Sequence, residues 1–204
     1  MIAIVDYGLG NIQAFANIYK RLGIPSAFAT TADDLNNSSH ILLPGVGSFD
    51  WAMERLDSSG MRPALEQLVI NEQRPVLGVC VGMQMMARRS DEGQALGLGW
   101  FDADVKKFDK SAIKIQRQLP HMGWNDVVQV TSSNLFQGME EQARFYFLHS
   151  YYFAPINPGE ILANTNYGDL FASAIHRDNI YGVQFHPEKS HRWGIQLLKN
   201  FATL

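Results

Sequence analysis

The 204-residue sequence predicts an α/β fold, with a central, mostly parallel twisted sheet flanked by helices and antiparallel strands in the second half. Three observations lead there. Short apolar runs alternate with segments of helical period through residue 88. Those runs are apolar at consecutive positions, as strands covered on both faces require. Beyond residue 120 the helical period gives way to closely spaced β-like runs separated by turn residues.

Ile2-Ala3-Ile4-Val5 is the first strand, and it ends at Asp6 and a glycine-containing turn. Residues 12–22 place Ile12, Phe15, Ala16, Ile18, Tyr19 and Leu22 at helical spacing, and Gly23 with Pro25 stops the helix. Residues 27–29 and Ile41-Leu42-Leu43 follow as strands, the second ending at Pro44-Gly45-Val46-Gly47. Residues 51–72 read as helix, broken near Gly60-Met61-Arg62-Pro63. A strand at 75–79 leads into a helix at 81–88. In the second half, 124–130, 145–153, 161–164, 171–175 and 180–185 read as strands, several of them paired as antiparallel hairpins. Asn157-Pro158-Gly159 and Asp178-Asn179 supply turns, and 193–201 closes as an amphipathic helix. No linker-like stretch or internal repeat divides the chain, so residues 1–204 are read as a single domain. Ligands of such sheets sit at the carboxyl ends of the strands, which directs attention to the loops at 6–11, 44–47 and 78–82.

A net charge of −3 without a basic run argues against nucleic acid or an anionic membrane as partner. No apolar run approaches the ~18 residues of a membrane span, and the first residues lack the character of a signal peptide. A single cysteine excludes an intrachain disulfide framework and a cysteine-rich zinc site. The six histidines show no ligand spacing, so neither a metal nor a cofactor is expected. The expectation is a cytoplasmic globular domain whose one thiol, Cys80, is either core packing or a nucleophile.

Gly78-Val79-Cys80-Val81-Gly82 follows an apolar strand and opens a helix, in the manner of a nucleophile elbow. A thiol there meets the free amides and the dipole of a helix start, which favour thiolate, and the Val81 amide faces where an oxyanion would form. A base is supplied by Gly182-Val183-Gln184-Phe185-His186-Pro187-Glu188, an apolar strand ending in His-Pro-Glu. In extended backbone, residues i and i+2 share a face, so Glu188 can orient the His186 imidazole. The amides of the Val46-Gly47 turn are the candidate second oxyanion donor, although the same residues suit an ordinary βα turn. Asp6-Tyr7-Gly8-Leu9-Gly10-Asn11 is not a dinucleotide loop, because Gln13 stands where the third glycine belongs.

Pro44-Gly45-Val46-Gly47, Gly78-Val79-Cys80-Val81-Gly82-Met83-Gln84 and His186-Pro187-Glu188 together resemble the signatures of the class I, triad-type glutamine amidotransferases. Asp6-Tyr7-Gly8, Gly10-Asn11, Pro120-His121-Met122-Gly123-Trp124-Asn125, Tyr146-Phe147, His149-Ser150-Tyr151 and Lys189-Ser190 extend the resemblance to the glutaminase subunits of imidazole glycerol phosphate synthases over essentially the whole chain. The resemblance implies the class I amidotransferase fold, with Cys80 as nucleophile, His186 as acid and base, and Glu188 as its partner. It implies backbone oxyanion donors at Val46, Gly47 and Val81. It places Gln84, Glu92 and the His149-Ser150-Tyr151 backbone at the positions that recognise L-glutamine. It also turns Asn11, Trp124 and Lys189 toward a (β/α)8-barrel cyclase in a heterodimer, which uses the ammonia to make imidazole glycerol phosphate and AICAR. Taken alone, Asn11 reads as a helix cap, Trp124 as core, and Glu92 and Lys189 as surface charges.

Phe49-Asp50-Trp51-Ala52-Met53, His149-Ser150-Tyr151-Tyr152-Phe153 and Glu188-Lys189-Ser190-His191-Arg192-Trp193-Gly194 also resemble a paralogous branch that supplies ammonia for amidination of a surface-polysaccharide sugar. Two readings of other classes stay open at this point. One is a cysteine hydrolase acting on γ-glutamyl or peptide bonds; the other is a non-catalytic regulatory module.

Overall fold

The computed structural model describes residues 1–109, 118–139 and 143–204. The first half winds as β1 (Ile2–Val5), α1 (Ile12–Leu22), β2 (Ser26–Ala29), α2 (Ala32–Asn36), β3 (His40–Gly45), α3 (Phe49–Ser58), α4 (Arg62–Glu66), β4 (Val76–Cys80) and α5 (Val81–Gln84). The second half adds β5 (Arg89–Ser90), β6 (Ala103–Lys107), β7 (His121–Asp126), β8 (Val128–Gln129), β9 (Arg144–His149), β10 (Tyr151–Pro155), β11 (Ile161–Tyr167), β12 (Asp169–Arg177), β13 (Ile180–Val183) and α6 (His191–Phe201).

Along the main sheet the order is β2-β1-β3-β4-β13-β12-β10-β6-β5, with β11 and β8 attached beyond β12. β2, β1, β3, β4 and β13 run parallel, while β13–β12, β12–β10 and β10–β6 are antiparallel. β7 and β9 form a separate antiparallel pair. β1 and β4 are buried along their whole length, the consequence of layers on both faces. α1 buries Phe15, Ile18 and Tyr19 and stops at Gly23 in the left-handed conformation. Among the described residues no helix is long and apolar enough to cross a membrane.

Several boundaries differ from the expectation. The helix expected over 81–88 ends at Gln84. Its continuation fails because the next amides do not bond four residues back: Met86 N donates to Met83 O at 3.1 Å and Ala87 N to Gln84 O at 3.0 Å, a tighter turn, and Arg88 N donates to Ala103 O of β6 at 2.9 Å. A four-residue turn carries little macrodipole, so the cysteine does not stand before a long helix. The strand expected over 145–153 is two strands, because the chain switches sheets at Ser150. The strand expected over 124–130 begins at His121 and divides at Val127. α2 escaped the periodicity reading by its shortness, although Thr31 and Asp34 close a capping box around its start. β3 runs on through Pro44 and Gly45, and Gly45 pairs with Cys80.

That last pairing depends on two glycines. A Cβ on Gly45 would fall on the Gly82 amide nitrogen, and a Cβ on Gly82 on the Leu43 carbonyl oxygen. Strand β3 and the turn after β4 are thus in backbone-to-backbone contact. Gly82→Ala is expected to destabilise the fold by about 2 kcal/mol or more, read as a lowered denaturant midpoint. Gly60→Ala, at φ 72° but with open space around the added methyl, should cost only the backbone penalty of about 1 kcal/mol. Equal losses at the two positions would refute the close-contact argument.

Candidate active site

Three neighbouring parallel strands, β3, β4 and β13, end side by side, and the segments leaving them converge. β4 ends in Cys80, whose backbone sits at φ 56° and ψ −113°, a conformation L-residues rarely adopt and which costs about 1–3 kcal/mol. The residue is 3% exposed. Its Sγ lies 3.9 Å from the Leu148 carbonyl and 3.7 Å from Gln184 Nε2.

His186 follows β13 and is fixed through its backbone: its N–H donates to Tyr146 O at 2.8 Å, and its carbonyl accepts from Ser190 Oγ at 2.6 Å. Ser190 Oγ in turn accepts from Tyr146 N at 3.0 Å, which locks the turn to β9. His186 Nδ1 is 3.0 Å from Glu188 Oε1, and both side chains are almost wholly buried. The sequence argument placed Glu188 beside the imidazole through an extended backbone. His186 is extended, but Glu188 lies in a 3-10 turn over Pro187–Lys189, and that turn brings the carboxylate back.

Burial opposes charge on His186, yet the hydrogen bonds and charges of Cys80 and Glu188 outweigh it and push its pKa up to about 10. His149 goes the other way. Burial, helped by the neighbouring His186 charge, lowers it to about 4 against the Tyr151 carbonyl that its ring bonds. Its neutral ring is held at both nitrogens: Nδ1 donates to Tyr151 O at 2.8 Å, and Nε2 accepts from His121 Nδ1 at 2.9 Å. His121 Nε2 then accepts from Asn125 Nδ2 at 3.1 Å. His121 itself is stacked between Phe147 and Tyr167.

Cys80, His186, Val46, Gly47 and Val81 line one cavity of about 280 Å³. Gln84, Glu92, His149, Ser150, Tyr151 and Lys189 complete most of its wall. Glu92 Oε2 accepts from the Phe49 N–H at 2.8 Å, so this acid is tied to the start of α3 as well as facing the cavity. Gln84 Nε2 donates to Tyr151 O at 3.1 Å and to Gln184 Oε1 at 3.0 Å. A larger groove, about 780 Å³, lies between α1 and α6; it includes Glu188 and Lys189 but not Cys80 or His186. Among the described residues no cluster of three or more His, Cys, Asp and Glu side chains is arranged to hold a metal.

Asn11 and Trp124 lie outside the cavity. Asn11 occupies the position before α1, but its side chain makes no capping bond. Trp124, expected in the core on its own chemistry, is 40% exposed and stacks on His191 with ring centroids 5.2 Å apart. The correction follows from the separate β7–β9 ribbon, whose outer face carries Met122 opposite Leu148 and Trp124 opposite Tyr146. Met122 is 65% and Leu148 38% exposed, giving an apolar strip beside the cavity mouth. Lys189 Nζ sits 5.7 Å over the Tyr146 ring.

Sequence reasoning missed two further residues. Tyr7 is buried and its O–H donates to Pro44 O at 2.7 Å, which anchors the strand end before Val46-Gly47. Gln184 is fully buried against the sulfur. Its signal was present, since it stands two residues before His186 in a strand, but a glutamine in an apolar run carries no chemistry without its neighbours.

The family model for class I glutamine amidotransferases matches residues 3–203. The chain is 58% identical to imidazole glycerol phosphate synthase subunit HisH of Bdellovibrio bacteriovorus, over all 204 residues and the full length of both proteins. It is 45% identical, again over the full length of both, to imidazole glycerol phosphate synthase subunit HisH 2 of Pseudomonas aeruginosa. A solved glutamine amidotransferase structure superposes with a TM-score of 0.71 at 19% identity, covering 97% of this chain and 98% of that one, a likeness of fold alone.

The opposed environments of the two histidines are testable by NMR. His186 should hold its proton through roughly pH 8, while His149 stays neutral down to roughly pH 5. Cys80→Ala removes one of the groups that raise His186 and should bring its titration down by about one unit or more. The linkage has opposite signs for the two rings. The His186 contribution to stability is present below about pH 6.5 and is lost as pH rises through its folded value; His149 destabilises the fold as pH falls from about 6.5 toward 4, because the unfolded chain takes up that proton first. Coincident titration of both rings near pH 6.5 would contradict this arrangement.

Proposed function

The chain belongs to the class I glutamine amidotransferase family, and we propose that it is the glutaminase subunit of an imidazole glycerol phosphate synthase, hydrolysing glutamine by a Cys80-His186-Glu188 triad and passing ammonia to a cyclase subunit. The observation that carries the reading is the convergence of the β3, β4 and β13 ends, with a thiol, a buried His–Glu pair and a glycine turn around one cavity, in a chain similar along its whole length to HisH subunits.

Cys80 sulfur attacks the side-chain amide carbon of glutamine, forming a C–S bond and moving the carbonyl electron pair to oxygen. The Val81 amide and the Val46-Gly47 turn supply donors to that oxyanion. His186, protonated and oriented by Glu188, gives its proton to the amide nitrogen, the C–N bond breaks and ammonia leaves. Neutral His186 then takes a proton from water, whose oxygen attacks the thioester. The C–S bond breaks and glutamate departs. Glu92 faces the substrate ammonium, while Gln84 and the His149-Ser150-Tyr151 backbone position its other polar groups.

Ammonia released into water would be lost, so the subunit acts with an acceptor. The proposed partner is a (β/α)8-barrel cyclase that uses ammonia on a phosphoribulosyl-formimino-carboxamide nucleotide to give imidazole glycerol phosphate and AICAR. The exposed Met122, Trp124 and Leu148, together with Asn11 and Lys189, are the proposed docking side. Leu148 belongs to the strip and, with His149 of the same ribbon, to the cavity wall, which gives a docked partner a direct route to the site.

In a complex with the cyclase, Cys80→Ala should lower glutamine-driven synthesis at least about 1,000-fold while ammonia-driven synthesis persists. Glutamine turnover should rise when cyclase and its nucleotide are added. Identical turnover with and without them would overturn the assignment to this synthase. Trp124→Ala should weaken association with the cyclase about tenfold or more without altering the circular dichroism of the chain, as measured by titration calorimetry.

A further inference from the structure

The carboxamide orientations around the sulfur are fixed by a single backbone carbonyl. Tyr151 O only accepts, so the atom of the Gln84 carboxamide lying 3.1 Å from it is the nitrogen. That same nitrogen lies 3.0 Å from the Gln184 carboxamide, which must therefore present its oxygen. The other end of Gln184, 3.7 Å from Cys80 Sγ, is then necessarily its N–H donor. The donor is fully buried and cannot be replaced by bulk water. Behind Tyr151 O the file continues: His149 Nδ1–H donates to the same carbonyl and is itself backed by His121 and Asn125. The direction of every bond in the file is set, and it ends on the nucleophile.

We propose that Gln184 is a further catalytic residue, whose side-chain N–H binds the Cys80 sulfur and stabilises the negative charge it carries before attack and regains when the thioester C–S bond breaks. The inference rests on the reading of Cys80 as the glutaminase nucleophile. His186 faces the sulfur from the end of β13 and serves as its proton partner; Gln184 approaches from the same strand and contributes a donor that never gives up its proton. The role is distinct from the oxyanion donors, which face the substrate oxygen. Among the described residues, the titratable and charged groups facing the sulfur or lining its cavity are His186, with Glu188 behind it, Tyr7 from the loop after β1, His149 from β9, Tyr151 from β10, Glu92 and Lys189.

Two variants separate the donor from packing. Gln184→Met keeps the volume and removes all hydrogen bonding. Gln184→Glu keeps the oxygen that Gln84 needs and replaces the N–H by a second oxygen. In the complex with cyclase and nucleotide, assayed at about pH 8, both should lower glutaminase kcat about tenfold with KM changed less than about twofold. Iodoacetamide alkylation of Cys80 near pH 7 should slow by a similar factor. Wild-type kcat and alkylation in Gln184→Glu, with loss only in Gln184→Met, would reduce Gln184 to a prop for Gln84 and overturn the proposal. Wild-type behaviour of both, with Cys80→Ala inactive on glutamine, would overturn it alone. Glutamine-driven synthesis surviving in Cys80→Ala would remove the nucleophile reading and this inference with it.

Discussion

The site rests on the close approach of strand β3 to the turn that follows β4. Gly45 and Gly82 meet backbone to backbone, and the pairing of Gly45 with Cys80 holds the strained cysteine at the carboxyl end of the central strand β4. From that contact the remaining geometry follows. Val46 and Gly47 leave β3 to line the cavity with Val81 and the sulfur, and β13, on the other side of β4, delivers His186. No long helix follows the thiol: α5 is a single turn, and the partner of the sulfur is His186, whose pKa is pushed up.

The two histidines of the cavity show how neighbours, rather than residue type, decide protonation. Each is buried, and burial alone would keep both neutral. His186 has a carboxylate on one nitrogen and a thiol on the other, so it is charged. His149 has no counter-charge: burial, helped by the His186 charge, outweighs the Tyr151 carbonyl that would favour its proton, so it is neutral. A fixed neutral ring beside a charged one leaves a single mobile proton at the site, which is what an acid–base step at one carbon requires.

Much of this was legible from residue order. The alternation of apolar runs and helical periods placed β1, α1, β3 and β4 correctly, because strands buried on both faces and helices with one apolar stripe have distinct patterns. The elbow at Cys80 and the His-Pro-Glu stretch singled out residues that line the cavity or support it. What stayed hidden was tertiary. The helix after Cys80 is shorter than expected because nothing local reveals that the Arg88 amide pairs with Ala103 of β6 instead of continuing the helix. The division of 145–153 at Ser150 is invisible in a continuous run of aromatic and apolar residues, since both strands favour the same composition. Trp124 looked like core because large aromatics usually are, and only the detachment of β7 and β9 from the main sheet exposes it. Gln184 and His121 gained meaning only through partners distant in sequence.

The apolar strip formed by Met122, Trp124 and Leu148 also bears on production of the protein. A chain made in excess of whatever covers that strip keeps three large side chains in water on an exposed ribbon, a standing invitation to self-association. With the proposed partner covering the strip, balanced dosage of the two chains would matter to solubility before it mattered to chemistry, and purification of this chain alone would benefit from low concentration.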